Sequence, residues 1–310
     1  MSSFTSRLPL SRSAIDRDDV SRQRDDLLDE LWADASTLVL PLHDGSAPLR
    51  TDGSLALVPP FPVDSSVLRV YLGRTLPDER DAGGTPVVAV VVDERTVPGV
   101  GEVEWVGLRA VGAALPARDA GIFTEALAMA NWHATHRFSP RSGAPTTAAR
   151  AGWVRIDPTD GKDLFPRTDA AIIVGVTDAD DRLLLGANAM WAGKRYSLLA
   201  GFVEPGESLE AAVAREVHEE SGLRVDQVTY LGSQPWPFPA SLMVGFTARV
   251  AEGASTQPVP DGQEIIDLRW FSREELAASL DEIGLPGHAS IARAIIEQWY
   301  GGPIEDGIEW

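Results

Sequence analysis

Residues 201–223 read Gly201-Phe-Val-Glu-Pro-Gly-Glu207-Ser-Leu-Glu-Ala-Ala-Val-Ala-Arg215-Glu216-Val217-His-Glu219-Glu220-Ser-Gly222-Leu223. Pro205-Gly206 signals a turn, and Ser208 is a good N-cap for a helix. Leu209–Glu220 is rich in helix formers, and Gly222 suits the residue just past a helix end. Leu209, Ala212, Val213, Val217 and Leu223 form one apolar stripe. Successive helical residues are about 100° apart, so Glu219 and Glu220 fall on either side of Glu216 within roughly 100° of arc. Like charges at this spacing destabilise a helix. Folding alone does not call for three such acids. A hard divalent cation does, because Mg²⁺ or Mn²⁺ takes oxygen ligands and tolerates several carboxylates. Arg215 lies just outside the arc, within reach of Glu207 in the preceding loop.

The whole stretch is Gly, five residues, Glu, seven residues, Arg-Glu, an aliphatic, any residue, Glu-Glu, any residue, Gly and an aliphatic. At roughly 7% usage for each of seven fixed types, chance produces it on the order of 10⁻⁶ times in a chain of this length. It resembles the Nudix box without a mismatch, with Gly201, Glu207, Arg215 and Gly222 as its structural positions. The resemblance implies an α/β/α sandwich that hydrolyses a nucleoside diphosphate linked to another moiety. It places Mg²⁺ or Mn²⁺ on Glu216, Glu219 and Glu220, which are also the catalytic acids; which of them handles the proton stays open.

A second motif comes next: Ser233-Gln234-Pro235-Trp236-Pro237-Phe238-Pro239-Ala240-Ser241. Three prolines alternating with aromatic residues predict a stiff, extended loop, which offers ring faces for stacking on a base or a nicotinamide. The stretch resembles the SQPWPFPxS signature of the NADH pyrophosphatase subfamily of Nudix hydrolases, and it matches at every fixed position. That resemblance assigns Gln234 to Ser241 to substrate binding. It adds Glu264 as a metal-binding carboxylate before a Trp-bearing strand, and the backbone carbonyl of Ala200 as a group able to face the metal. Phe165, Phe202 and Ala292 match positions that touch substrate. Arg109 is a looser match, for which surface filler is the preferred reading.

The 310-residue length predicts about two domains. A net charge of −19, of which −14 lies in residues 151–310, disfavours a tight grip on nucleic-acid backbones. A bridging divalent cation reconciles so acidic a half with a phosphate substrate. No apolar run is long enough for a membrane span, and residues 1–13 lack a signal-peptide core, so the expected location is the cytoplasm. Residues 1–130 read as an α+β domain, 131–167 as a connector or degenerate zinc-ribbon element, and 168–310 as the Nudix domain. The individual elements expected include a helix over 21–32, strands at 56–58 and 228–232, and a helix over 117–136.

Many relatives carry a four-cysteine zinc ribbon between the two domains. This chain has no cysteine. Ser139 and Ser142 stand where a Cys-x-x-Cys pair would be, and hydroxyls are poor zinc ligands, so no zinc is expected. His133 and His136 show no partner ligands, and the element is expected to hold by packing, with Trp132 and Trp153 contributing. The resemblance implies hydrolysis of NADH to reduced nicotinamide mononucleotide and AMP by a homodimer, with NAD⁺, which gives nicotinamide mononucleotide and AMP, or NAD-capped RNA 5′ ends as further substrates. The alternatives are a Nudix hydrolase of other nucleoside diphosphate derivatives such as ADP-ribose, and a non-catalytic nucleotide-binding Nudix regulator.

Overall fold

The computed structural model describes residues 4–13, 15–77 and 82–305. They form two compact units. One comprises residues 12–168 with the short segment 236–240; the other comprises residues 4–11, 169–235 and 241–305.

In the first unit, β1 (Ile15–Asp16) and α1 (Leu27–Ala33) precede β2 (Leu38–Leu42), β3 (Ser46–Leu49), β4 (Arg69–Thr75), β5 (Pro86–Val91) and β6 (Glu104–Gly107). A short α2 (Leu108–Val111) and the long α3 (Ala117–Thr135) follow, then three small strands, β7 (Thr147–Ala149), β8 (Val154–Ile156) and β9 (Asp163–Leu164). The main sheet has the order β1-β4-β5-β2, with β2 parallel to β5. Buried residues of α3 include Ile122, Phe123, Ala126, Leu127 and Trp132. The helix expected over 21–32 is only α1, preceded by a 3₁₀ turn at Ser21–Gln23. Asp25 and Asp26 interrupt it, being poor helix-interior residues. Within residues 56–58 only Val58 makes a bridge, to Val39, and no strand forms. The nearby strand is β3, antiparallel to β6 in a separate two-stranded sheet. Its Pro48 hides the strand in the sequence, because proline is confined to edges and cannot donate to a ladder. The segment after α3 is a three-stranded antiparallel sheet, β7-β8-β9.

In the second unit, β10 (Asp169–Thr177), β11 (Leu183–Asn188) and β12 (Leu199–Phe202) lead into α4 (Leu209–Ser221). Then come β13 (Val225–Trp236), β14 (Ser241–Val250), β15 (Ile265–Phe271), α5 (Arg273–Ser279) and α6 (Ile291–Tyr300). The sheet order is β13-β14-β10-β11-β15, with β12 antiparallel to β10. Alternate residues of β10 face opposite layers. Ile172, Val174 and Val176 pack with Ala212, Val213 and Val217 of α4. Ile173 packs with Ile291, Ile295 and Ile296 of α6. A strand covered on both sides reads as an unbroken apolar run, as 170–176 does. Each fully buried aliphatic side chain contributes about 1.5–3 kcal/mol. Phe4 and Leu8 join the α6-side core, far from their neighbours in sequence. Gly232 permits this: a Cβ there would lie 2.5 Å from Thr5 Oγ1.

The aromatic–proline stretch is not the extended loop expected of it. β13 continues through Ser233 to Trp236, and only residues 237–240 turn back into β14. β13 stands at the sheet edge, where Pro235 displaces no ladder donor from a central position.

Candidate active site

The box helix α4 begins at Ser208, whose side chain accepts the Ala211 N–H, and ends at Gly222 in the left-handed conformation (φ 69°). The two caps set where its acids fall. Arg215 clamps the loop: Nη2 and Nε donate to Glu207 Oε1 and Oε2 at 2.6 and 3.1 Å, and Nη2 also donates to Phe202 O at 3.0 Å. Its Nη1 donates to Glu216 Oε1 at 2.9 Å and Glu219 Oε2 at 3.0 Å. Glu207 Oε1 in turn accepts the Glu204 N–H at 2.8 Å. The Arg215 guanidinium holds the Glu207 carboxyl below its usual range. The box glycine has a steric role. A Cβ on Gly201 would lie 2.0–2.3 Å from the carboxylate of Glu216, so only glycine lets that carboxylate lie on the strand.

Glu220 differs from its neighbours. It is 5% exposed, and its Oε2 is buried without a hydrogen-bond partner. Burial, then the charges of Glu216, Glu264 and Asp261, push its carboxyl up to about 8; a hydrogen bond from the Ala200 backbone opposes them. Glu216 is also raised, first by burial. Glu264 therefore stands close enough to act on both box acids, although it lies 44 residues beyond Glu220 in sequence. Its placement depends on Asp261, a residue not singled out from the sequence. Asp261 Oδ1 accepts the backbone N–H groups of Gln263, Glu264 and Ile265 at 3.2, 3.2 and 2.8 Å. The Glu264 carbonyl accepts the Ala189 N–H at 2.9 Å. The available signal was an Asp three residues before Glu264, at the start of a tight turn.

Among the described residues, no group of three or more His, Asp or Glu side chains is drawn together closely enough to hold a metal ion. Arg215 engages Glu216 and Glu219. The donor set nevertheless fits a hard divalent cation. It is all oxygen, and it includes a buried carboxylate oxygen with no partner, which costs free energy until a cation or proton meets it. Phe202 is exposed beside this group.

Other expected substrate residues fall differently. Gln234 is fully buried, with Nε2 donating to Ala289 O at 2.9 Å, so its side chain braces β13 and does not face solvent. Ala292 is buried in the α6-side core, so its methyl group packs and is not offered to a ligand. Pro235 and Ser241 flank the turn. In the first unit, Trp236 and Phe238 meet edge to face with ring centres 4.9 Å apart. The Arg109 guanidinium lies over Phe238 at 4.2 Å and Trp236 at 5.3 Å. Arg109 is itself exposed. Asn131 Nδ2 donates to Pro237 O at 2.9 Å and Pro239 O at 3.3 Å, which pins the turn that ends at Ala240. Phe165 is exposed just past β9. His133 has both nitrogens engaged, Nε2 with Gly152 O at 2.7 Å and Nδ1 with Arg155 Nη1 at 2.8 Å, and burial lowers it to about 4. Neither nitrogen is left for a metal.

Residues 166–294 match the NUDIX domain model, and residues 34–132 match the NADH pyrophosphatase-like rudimentary NUDIX domain model. The chain is 44% identical over 245 residues to the NAD-capped RNA hydrolase NudC of Mycobacterium bovis, covering 74% of each chain. It is 40% identical over 215 residues to the NAD-capped RNA hydrolase NudC of Stutzerimonas stutzeri, covering 69% of this chain and 73% of that one. Members of the Nudix family use divalent metals. With both domain models matched in order and relatives this similar across most of their length, the chain belongs to the Nudix hydrolases, in the NADH pyrophosphatase subfamily.

Proposed function

We propose that this enzyme hydrolyses the pyrophosphate bond of NADH to reduced nicotinamide mononucleotide and AMP, that of NAD⁺ to nicotinamide mononucleotide and AMP, and that of NAD-capped RNA to nicotinamide mononucleotide and a 5′-monophosphate RNA. The observation that carries the reading is the buried, unpartnered Glu220 oxygen beside Glu216 and Glu264 in a chain that also bears the full SQPWPFPAS motif. The names of the relatives support the NAD cap as a substrate. In this reading Glu216, Glu220 and Glu264 hold the cation, Mg²⁺ or Mn²⁺, with the Ala200 carbonyl as a further ligand. When bound, the cation supplies charge neutralisation for the diphosphate. Arg215 orients Glu216 and ties the box loop to the helix. Glu219, the most exposed box acid, has the freedom to accept the proton of the attacking water. The resemblance assigns substrate contact to Phe202 in the second unit and, separately, to Phe165 and the Trp236 and Phe238 rings in the first. The resemblance extends the proposal to a homodimer, and the sequence of residues 1–13 extends it to the cytoplasm; among the described residues no helix is long and apolar enough to cross a membrane.

The test is product analysis after incubation of purified protein and divalent cation with NADH, NAD⁺, ADP-ribose and an NAD-capped RNA. Reduced nicotinamide mononucleotide and AMP from NADH are expected. Turnover of ADP-ribose alone would overturn the substrate assignment.

A further inference from the structure

The segment joining α3 to β9 has two tight turns that meet. The first is closed by Ser139 N–H to Ala144 O at 2.8 Å and Gly143 N–H to Ser139 O at 2.9 Å. The second is closed by Asp157 N–H to Lys162 O at 3.0 Å and Gly161 N–H to Asp157 O at 2.9 Å. Each turn carries a pair of polar residues three apart, Ser139 with Ser142 and Asp157 with Asp160. That is the layout of a two-turn metal site, with hydroxyls and carboxylates in place of thiolates.

The residues do not fit zinc. Asp157 is fully buried, and its oxygens are already used. Oδ1 accepts the Thr159 N–H and hydroxyl at 2.9 and 2.6 Å, and Oδ2 accepts the Ser142 hydroxyl at 2.7 Å. The buried Ser139 hydroxyl hydrogen-bonds the same carboxylate. Ser139 Oγ also accepts the Arg141 N–H at 3.1 Å. At the fourth position Asp160 is met by Lys162 Nζ at 3.1 Å and Arg141 Nη2 at 3.9 Å, two cations that would repel a metal. The charge pattern is the reverse of a metal site: an anion sits at the centre and protons point at it.

We propose that Asp157, gripped by Ser139, Ser142 and Thr159, is a metal-free clasp that locks the two turns together in place of a bound metal. Hydrogen bonds to a buried carboxylate are about twice as strong as neutral ones, and they hold the carboxyl far below its usual range, with Ser139 the largest cause. The contribution is therefore present above about pH 4 and lost as pH falls below the unfolded value.

The test uses the full chain. Wild type, Ser142→Ala, Ser142→Thr and Asp157→Asn are compared by thermal unfolding, with and without a chelator and added Zn²⁺, and by limited proteolysis mapped within residues 139–162. Ser142→Ala should lower Tm by about 3–10 °C and open cleavage in these turns; Ser142→Thr should restore both. Asp157→Asn should do more, or fail to fold, which also supports the clasp. Chelator and Zn²⁺ should leave the wild-type Tm unmoved. The proposal is overturned if one zinc per chain survives mild chelation, or if Ser142→Ala melts and digests like wild type.

Discussion

Glu220→Gln separates the two consequences of burying that carboxylate. The side chain keeps its volume and loses its charge. Near pH 4.5 the carboxyl is neutral in the folded chain, so the variant should match wild type in Tm. The folded value of about 8 stands above the ordinary 4.5. The folded state therefore holds a proton that the unfolded chain releases in that window, and this stability is lost as pH rises from about 4.5 through 8. At about 1.4 kcal/mol per pH unit, the loss is capped at about 5 kcal/mol. In chelated buffer at pH 9 the variant should therefore melt several degrees above wild type, at about 2–4 °C per kcal/mol for a unit of this size. Adding Mg²⁺ should close about half of that gap. A cation at 100 times its Kd stabilises by about 2.7 kcal/mol, and only wild type should gain it. Turnover of NADH by the variant should fall at least about 10²-fold. Differential scanning fluorimetry across pH, with chelator or Mg²⁺, measures the stability arms, and steady-state kinetics measures turnover. Equal Mg²⁺ stabilisation of both proteins, or turnover within a few-fold of wild type, would refute the reasoning.

Gly201→Ala should abolish turnover through the displaced Glu216 carboxylate, since the added Cβ would lie 2.0 Å from it; steady-state kinetics with Mg²⁺ titration should show weaker metal activation. Trp236→Ala should lower kcat/KM for NADH more than about tenfold, from the loss of one stacked ring worth about 1–3 kcal/mol, while ADP-ribose, if turned over, falls much less. Equal losses on both would make Trp236 a packing residue. Glu125 in α3 is buried, with Oε1 unpartnered and its carboxyl raised to about 7 by burial. Its folded value again exceeds the unfolded one, so stability falls as pH rises from about 4.5 to 7, and Glu125→Gln should flatten that fall by at most about 3 kcal/mol. Parallel Tm-versus-pH curves for the two proteins would count against it.

The box helix and its chemistry were legible in residue order alone. Its caps, its apolar stripe and the arc of Glu216, Glu219 and Glu220 depend on spacings of three and four residues, which helical geometry converts directly into shared faces. The Arg215–Glu207 clamp was legible because opposite charges stand in the short loop before the helix and on the helix itself, and β10 and β15 announced themselves by unbroken or alternating patterns. The rest required the folded chain, because segments far apart in sequence must meet in a particular register. Glu264 acts on Glu220 only because the turn held by Asp261 at the head of β15 brings it there. Phe4 and Leu8 complete the α6-side core only because Gly232 leaves room for the chain's beginning. Gln234 in the motif and Ala292 in α6 match ligand-contacting positions, yet their burial depends on what β13 and α6 pack against. Arg109 gains its place over Trp236 and Phe238 from a turn 127 residues later. Asp157 offers no local pattern that marks it as the centre of a clasp; it becomes one because a second turn aims two hydroxyls at it.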